Sequence, residues 1–422
     1  MEAYLLDWAN LLLRWLHVIT AIAWIGSSFY FVFLDNNLIK PKSPDLLEKG
    51  VDGAMWAVHG GGFYNPQKYM VAPKKIHTEL HWFYWESYST WLSGFGLFTV
   101  LYLWNAGTFL VDKSLMDWPP AQAIAAALGF LVAFWLIYDR ICQWFGFRKN
   151  GDAIVGALIF GVICIAAWGA CQLFAGRAAF LLVGAMIATA MSANVFFWII
   201  PGQRKVVAAM TSGDKVDPKS LAIHGKRGKQ RSVHNTYFTL PVIFAMLSNH
   251  YGFLYTHRYN WAILILMMLA GALIRQFFVQ RHGWHHGRAA NPWPFAAVGV
   301  VVILAVIVGL KAFEPAPVPA AAVSAHSTRD KDHPATGAAG ATQGAYPPVQ
   351  KVLEQRCYLC HGAQTQMKNV RLDSPEGVKT HAQAIYQQVV VMKQMPMNNA
   401  TGITDAERAL ISEWFKAGAK VE

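Results

Sequence analysis

Near the end of a chain of 422 residues, Cys357-Tyr358-Leu359-Cys360-His361 places two thiols three positions apart, with an imidazole directly after the second. Thiols at that spacing reach both vinyl groups of one porphyrin, and the next residue offers a nitrogen to its iron. This is the pattern of covalent heme c attachment. A zinc site would need a second ligand pair; no cysteine follows, and His381 alone cannot complete one. With His361 as one axial ligand, the other should be a thioether. Met395 is favoured, because Pro396 holds the following chain extended and Asn398 and Asn399 can pin the loop. Met397 is the rival, while Met367, Met392, Trp414 and Phe415 read as packing residues.

A second set of reactive side chains lies inside apolar runs, where an ionisable group is expensive and needs a reason. His17 and Asp35 are 18 residues apart, a whole number of turns and about 27 Å along one helix stripe. Trp24 and Ser28 lie near that stripe, which should face other helices. Toward one side of the membrane fall Asp35, His77, His81, Glu86, Arg140, His234, Asn235, Arg275 and His282; toward the other fall His17, Asn249 and His250. His77 and His81, at i and i+4, are expected on one helix face. The plainer reading is that a single His near a helix end is a hydrogen-bonded interfacial residue and that Arg140 and Arg275 snorkel. Glu86, flanked by Trp85 and Tyr88, resists that reading.

The elements that must position these residues follow from composition. Hydrophobic residues make up 55% and charged ones 14%, against about 25% charged in a soluble domain. The bilayer is therefore the solvent for most of the chain. Apolar runs long enough to span it fall at about 10–34, 82–104, 120–141, 153–174, 178–200, 236–254, 260–280 and 295–313, the sixth interrupted by Pro241. Cys142, Cys164 and Cys171 sit in or beside these runs as small hydrophobes. The first run is long and lacks a cleavage-site pattern, so it reads as a retained helix.

The net charge of +12 is spread over alternate loops, which excludes a nucleic-acid patch and gives topology by the positive-inside rule. Segments 35–80 and 201–234 are rich in Lys and Arg, including Lys74, Lys75 and Lys215, and Arg148, Lys149, Arg281 and Arg288 join them. The intervening loops offer only Lys113, Arg177 and Arg258. The rich side is cytoplasmic, so both termini are expected outside, in the periplasm of a bacterial inner membrane. Residues 314–345, rich in Ala and Pro, read as a flexible tether. Residues 346–422 read as a small class I-type cytochrome c domain with helices before Cys357, over about 376–393, and from Thr404, where Thr404 and Glu407 form a capping box. The expected fold is all-α: a polytopic bundle of about eight membrane helices (1–313), a tether, and the cytochrome domain.

Four stretches of the bundle carry a family resemblance: Trp15-Leu16-His17-Val18 through Ala23-Trp24-Ile25-Gly26, Met191-Ser192-Ala193-Asn194, Arg231-Ser232-Val233-His234-Asn235-Thr236-Tyr237, and Ser248-Asn249-His250. They resemble the bacterial membrane-bound urate oxidases (the urate hydroxylase, PuuD, family), over essentially the whole chain including a C-terminal cytochrome c. The resemblance implies oxidation of urate to 5-hydroxyisourate, with electrons passed to the cytochrome and on to a respiratory acceptor such as cytochrome c oxidase. The His17 segment is also similar to first helices of porphyrinogen-oxidase-type membrane heme proteins.

Urate is a planar anion, so its site wants an Arg or protonated His, amides such as Asn194 and Asn235 for the ring edges, and an aromatic plane. His234 and Arg275 stand with these on the cytoplasmic side, with Glu86 or His81 as base. A single heme c takes one electron at a time on the far side of the membrane. A non-covalent heme b held by His17, with His250 as second ligand, would bridge that gap; urate bound near the outer face is the alternative. Two other functions remain open at this point: a membrane-anchored electron carrier, and another membrane dehydrogenase with a fused cytochrome.

Overall fold

The computed structural model describes residues 2–69, 73, 76–77, 79–112, 115–212, 218–312, 346–363, 367, 370–391, 393–399 and 401–421. The expected tether at 314–345 lies outside the described residues, as do Lys74, Lys75, Lys113, Lys215 and Met392.

Among the described residues, six helices are long and apolar enough to cross a membrane. They are α1 (Glu2–Asn37), α5 (Pro120–Phe145), α6 (Gly151–Leu173), the continuous rod of α7 (Gly176–Asn194) and α8 (Ile200–Ser212), α11 (Asn260–His285) and α12 (Trp293–Ala312). The spans expected at 82–104 and 236–254 are helical too, but neither is among those six. The first becomes α3 (Trp85–Phe98) running into a π-turn at Thr99–Leu103; the second becomes the end of α9 (Pro218–Leu247).

At the centre stands α7, packed against α5, α6 and α9, while α11 packs on α9 and α12 and α1 packs on α3. Small residues let α7 and α9 approach closely. A Cβ on Gly184 would lie 2.8 Å from the Ala245 methyl carbon. The core follows this seam, with Phe180, Leu182, Met186, Ile187, Ala245 and Leu264 buried.

Three expectations about local structure change. The segment 201–234, read as a loop, is mostly helix, because hydropathy sees only the lipid-facing part of a rod that continues into water with its charges outward. His77 and His81 do not share a helix face: His77 and residues 79–84 are non-helical and α3 begins at Trp85. The aromatic run there is spent on docking, with Phe83 edge-on to both His81 (4.6 Å) and Phe31 (5.0 Å). Between α1 and α3 the chain also forms a short helix α2 (Pro44–Glu48) and two antiparallel hairpin sheets, β1 (Gly53–Ala54) with β4 (Gln67–Lys68) and β2 (Ala57–His59) with β3 (Gly62–Tyr64). The sequence pattern had given no sign of these strands.

On the opposite end of the bundle lie α4 (Ala106–Phe109) and α10 (Gly252–Tyr255). The C-terminal unit has its own core of Tyr346, Val349, Leu353, Val378, Ile411 and Trp414. It is built from α13 (Tyr346–Arg356), α14 (Tyr358–His361), α15 (Pro375–Ile385) continuing as a π-turn to Val391, and α16 (Asp405–Lys416). The Thr404 hydroxyl accepts from the Glu407 amide and the Glu407 carboxylate accepts from the Thr404 amide, so the capping box is formed.

Candidate functional site

Three helices bring their polar residues to one buried place. On α9, Arg231, His234 and Asn235 stand at i, i+3 and i+4, one face of a helix. On α5, Tyr138, Asp139 and Cys142 lie within one turn. On the central rod, Asn194 ends α7 and the π-turn Val195–Ile199 follows. Single π-turns inside α-helices recur at functional sites, and this one sets Trp198 beside Asn194 on the side facing α5 and α9.

The cluster is densely bonded. Asn194 is fully buried and its Nδ2 donates to the Tyr138 hydroxyl (2.8 Å) and to Asn235 Oδ1 (2.9 Å). Asn235 in turn donates to the Met191 carbonyl (3.0 Å). The Tyr138 hydroxyl lies 2.9 Å from His234 Nδ1. Asp139 Oδ1 accepts from Arg231 Nη2 (2.7 Å) and from the Trp198 indole (2.8 Å). The Arg231 guanidinium also lies over the Tyr138 ring at 5.0 Å. With side chains 4% and 15% exposed, breaking this ion pair from one side should cost about 3–5 kcal/mol.

Two buried atoms in this network meet no hydrogen-bond partner among the described residues: Asn194 Oδ1 and Arg231 Nη1. An unmet buried polar atom costs roughly 1–3 kcal/mol. One acceptor and one cationic donor left open beside aromatic rings suit a planar anion with N–H and C=O edges. His234 also lines a cavity of about 1480 Å³ that runs along α9 between α6, α8 and α11. Lys226, Lys229 and Gln230 line its basic end, and Phe238, Pro241 and Met268 its apolar end.

The urate oxidase N-terminal family model matches residues 3–310, a stretch containing all of this cluster. The chain belongs to the urate oxidase N-terminal family. This makes it an oxidoreductase of urate. No curated protein and no solved structure matches the chain.

Of the residues singled out in this urate oxidase region, Asn194, His234 and Asn235 meet in the cluster. The others do not. Arg275 is fully buried elsewhere: it donates to the Thr236 carbonyl (3.2 Å) and to the Ser28 hydroxyl (3.2 Å) and carbonyl (3.3 Å), with its guanidinium 3.5 Å over the Phe29 ring. It clamps α11 to α1 and α9 and has no carboxylate among these contacts. Glu86 sits in the first turn of α3, where the helix dipole favours a carboxylate. His81 is exposed and packed on Phe83, and Arg140 is exposed. Asp35 pairs with Lys68 at 2.6 Å, and His282 Nε2 accepts from Arg281. Among the described residues no group of three or more His, Cys, Asp or Glu side chains is arranged to hold a metal ion.

At the other end of the bundle, His17 Nδ1 lies 3.1 Å from the Thr90 carbonyl and 3.2 Å from the Ser93 hydroxyl. Its ring presses over Gly94, where a Cβ would come within 2.8 Å. His250 is exposed, and no hydrogen bond or ring contact among the described residues joins it to His17. Asn249 Oδ1 accepts from Tyr102 (2.9 Å) and Arg177 (3.1 Å).

In the C-terminal unit, α13 leads into Cys357, and the His361 amide donates to the Cys357 carbonyl at 2.9 Å. All five cysteines are free, and burial pushes the Cys357 thiol up to about 12. His361 Nδ1 lies 3.3 Å from the Val370 carbonyl, a bond that fixes the tautomer with the proton on Nδ1 and the lone pair on Nε2. The Met395 loop is held by Arg408, which donates to the carbonyls of Val389 and Met395; of the two asparagines expected to pin it, the Asn399 side-chain oxygen meets no partner among the described residues and the Asn398 side chain lies outside them. Met395 and Met397 line a cavity of about 400 Å³ shared with Arg177, Asn249 and Tyr255 of the bundle.

Sequence reasoning missed Tyr138, Asp139 and Trp198, read Cys142 as a small hydrophobe, and counted Arg231 as topological charge and as part of a resemblance stretch but not as a site residue. Asp139 had a legible signal, being the sole acid in an otherwise apolar 26-residue helix.

Proposed function

We propose that this chain is a membrane-bound urate oxidase that converts urate and water to 5-hydroxyisourate, releasing two protons and two electrons. The observation that carries the reading is the pair of unpartnered buried atoms, Asn194 Oδ1 and Arg231 Nη1, in the cluster whose His234 lines the cavity. Arg231 meets the negative charge, the Asn194 carbonyl accepts a ring N–H, and Tyr138 and Trp198 supply flat aromatic walls. Neutral His234 accepts the proton of the water that adds to the ring, its orientation set by the Tyr138 hydroxyl. Glu86, His81 and Arg275 have no part in this scheme.

In this proposal all eight long helices span the bacterial inner membrane, with the Lys- and Arg-rich side cytoplasmic and the C-terminal unit periplasmic. That unit is a cytochrome c domain. Cys357 and Cys360 would hold heme c covalently, and His361 and Met395 would offer its iron a nitrogen and a sulfur; the His361 tautomer and the anchored Met395 loop fit that role. Such a group would supply one-electron acceptance, with a respiratory acceptor such as cytochrome c oxidase as the partner beyond it. His17, with Nδ1 engaged and Nε2 open, would hold a non-covalent heme b; His250 is a weaker candidate for its second ligand because it is exposed.

The decisive test is urate-dependent reduction of the purified chain's heme without oxygen, repeated with Cys360→Ala. Urate should reduce the parent, whereas the variant should bind urate without cytochrome reduction. If a quinol reduces the heme and urate does not, the chain is an anchored electron carrier. A pyridine hemochrome spectrum showing only c-type heme would remove heme b from His17.

A further inference from the structure

The cavity beside His234 is much larger than a purine needs. Sites that enclose a drug-sized ligand measure about 300–1,000 Å³, and this one reaches about 1480 Å³. Along α9 its wall runs from Leu221 to Pro241, about 30 Å of helix. The two ends differ in character. Lys226, Lys229 and Gln230 line one; Ile163, Phe238, Met268 and Leu269 line the other, and His234 and Tyr237 stand between. Phe160 and Val233 on the walls are exposed, so the cavity reaches the lipid-facing surface.

Resting on the function proposed above, the chemistry at His234 releases two electrons and two protons, whereas heme c would take one electron and no proton, so a two-electron carrier is wanted between them. The Met395 loop lies at the opposite end of the bundle, against Asn249. From His234 to Asn249 is 15 residues of α9 and its terminal turn, about 20 Å, and electron tunnelling falls exponentially with such distance. We infer that the apolar end of this cavity is a binding site for an isoprenoid quinone, whose carbonyl ring sits at His234 and Tyr237 next to the urate site.

The step balances: urate, water and quinone give 5-hydroxyisourate and quinol. Water supplies the new C–O bond at the purine, two electrons pass to the quinone ring, and the two protons released become the quinol hydroxyl hydrogens. A phospholipid would match the lysines through its headgroup. However, Lys68 and Lys229 already face Asp35, at 2.6 and 3.9 Å, and a purely structural lipid would not explain a cavity wall shared with the polar cluster.

Gly156 lines the cavity and has nothing within 4 Å of where a Cβ would stand, so Gly156→Trp should fold while filling the cavity between its basic and apolar ends. The full chain in detergent is titrated with a short-chain benzoquinone, then given urate anaerobically while quinol formation is followed optically. The expected result is saturable quinone binding and urate-driven quinol formation, both reduced at least tenfold by Gly156→Trp, with urate affinity retained. Quinone binding that is absent, or unchanged in the variant, overturns the quinone site even if urate is oxidised by another acceptor. A co-purifying phospholipid displaced by Gly156→Trp without loss of quinol formation overturns it as well. Variant-sensitive quinone binding with no urate oxidation by any acceptor would leave the quinone site standing and remove the urate reading.

Discussion

Arg231 and Arg275 are both buried arginines, 3% and 0% exposed, yet their surroundings differ in kind. Arg231 faces Asp139 and stands among Tyr138, Trp198, His234 and Asn235, groups that bond one another and leave one donor and one acceptor open. Arg275 is held by carbonyls, a hydroxyl and the face of Phe29, and its Nη1, like that of Arg231, meets no partner among the described residues. Burial of a charge with a donor to spare therefore does not identify a site. What separates the two is whether the charge faces an acid and a polar network of side chains bonded to one another.

Substitutions can break or sharpen this contrast. The largest effect is expected for Arg231→Gln, which strands Asp139: about 3–5 kcal/mol of stability and at least a hundredfold in urate turnover, as for loss of one charge-stabilising donor. Thermal denaturation and anaerobic turnover per folded molecule check both. Next comes Tyr138→Phe, which leaves His234 and Asn194 each short of a partner at about 1–3 kcal/mol, and should lower turnover with little change in urate affinity. Arg275→Met should cost about 1–2 kcal/mol through the unpaired Thr236 and Ser28 groups, with turnover per folded molecule unchanged. A turnover collapse there would erase the contrast.

The smallest effect belongs to the C-terminal unit. Burial alone would raise the Glu407 carboxyl, but hydrogen bonds from the Thr404 backbone and from Arg356 outweigh it and hold the group below the ordinary carboxylate range. A depressed carboxylate stabilises above its unfolded value of about 4.3 and loses that contribution as pH falls through the lower folded value. Melting of this unit in the full chain should thus weaken on acidification below that value, and Glu407→Gln should flatten the dependence.

The sequence made the parts that depend on local spacing legible. The Thr404 capping box and six helices long enough to span needed no knowledge of tertiary packing. Asn194, His234 and Asn235 were picked by residue type on α7 and α9, and they do converge. Tyr138 and Asp139 stayed hidden because an apolar run is read for its average, and attention went to Arg140, which faces outward. The π-turn after Asn194 and the strands between α1 and α3 depend on packing that no periodicity records. Arg275 was misjudged because a rare buried charge reads as chemistry until its partners are known.

The first helix has a consequence for assembly. No residue in the apolar stretch of α1 is fully buried. Besides His17 on Thr90 and Ser93, its latches lie far downstream, Ser28 on Arg275 and Asn36 on the Val279 carbonyl. The partner of Ser28 comes 247 residues after it. While the ribosome makes everything between them, the N-terminal rod rests chiefly on α3. The segment born first thus gains these fastenings when about nine tenths of the bundle already exists.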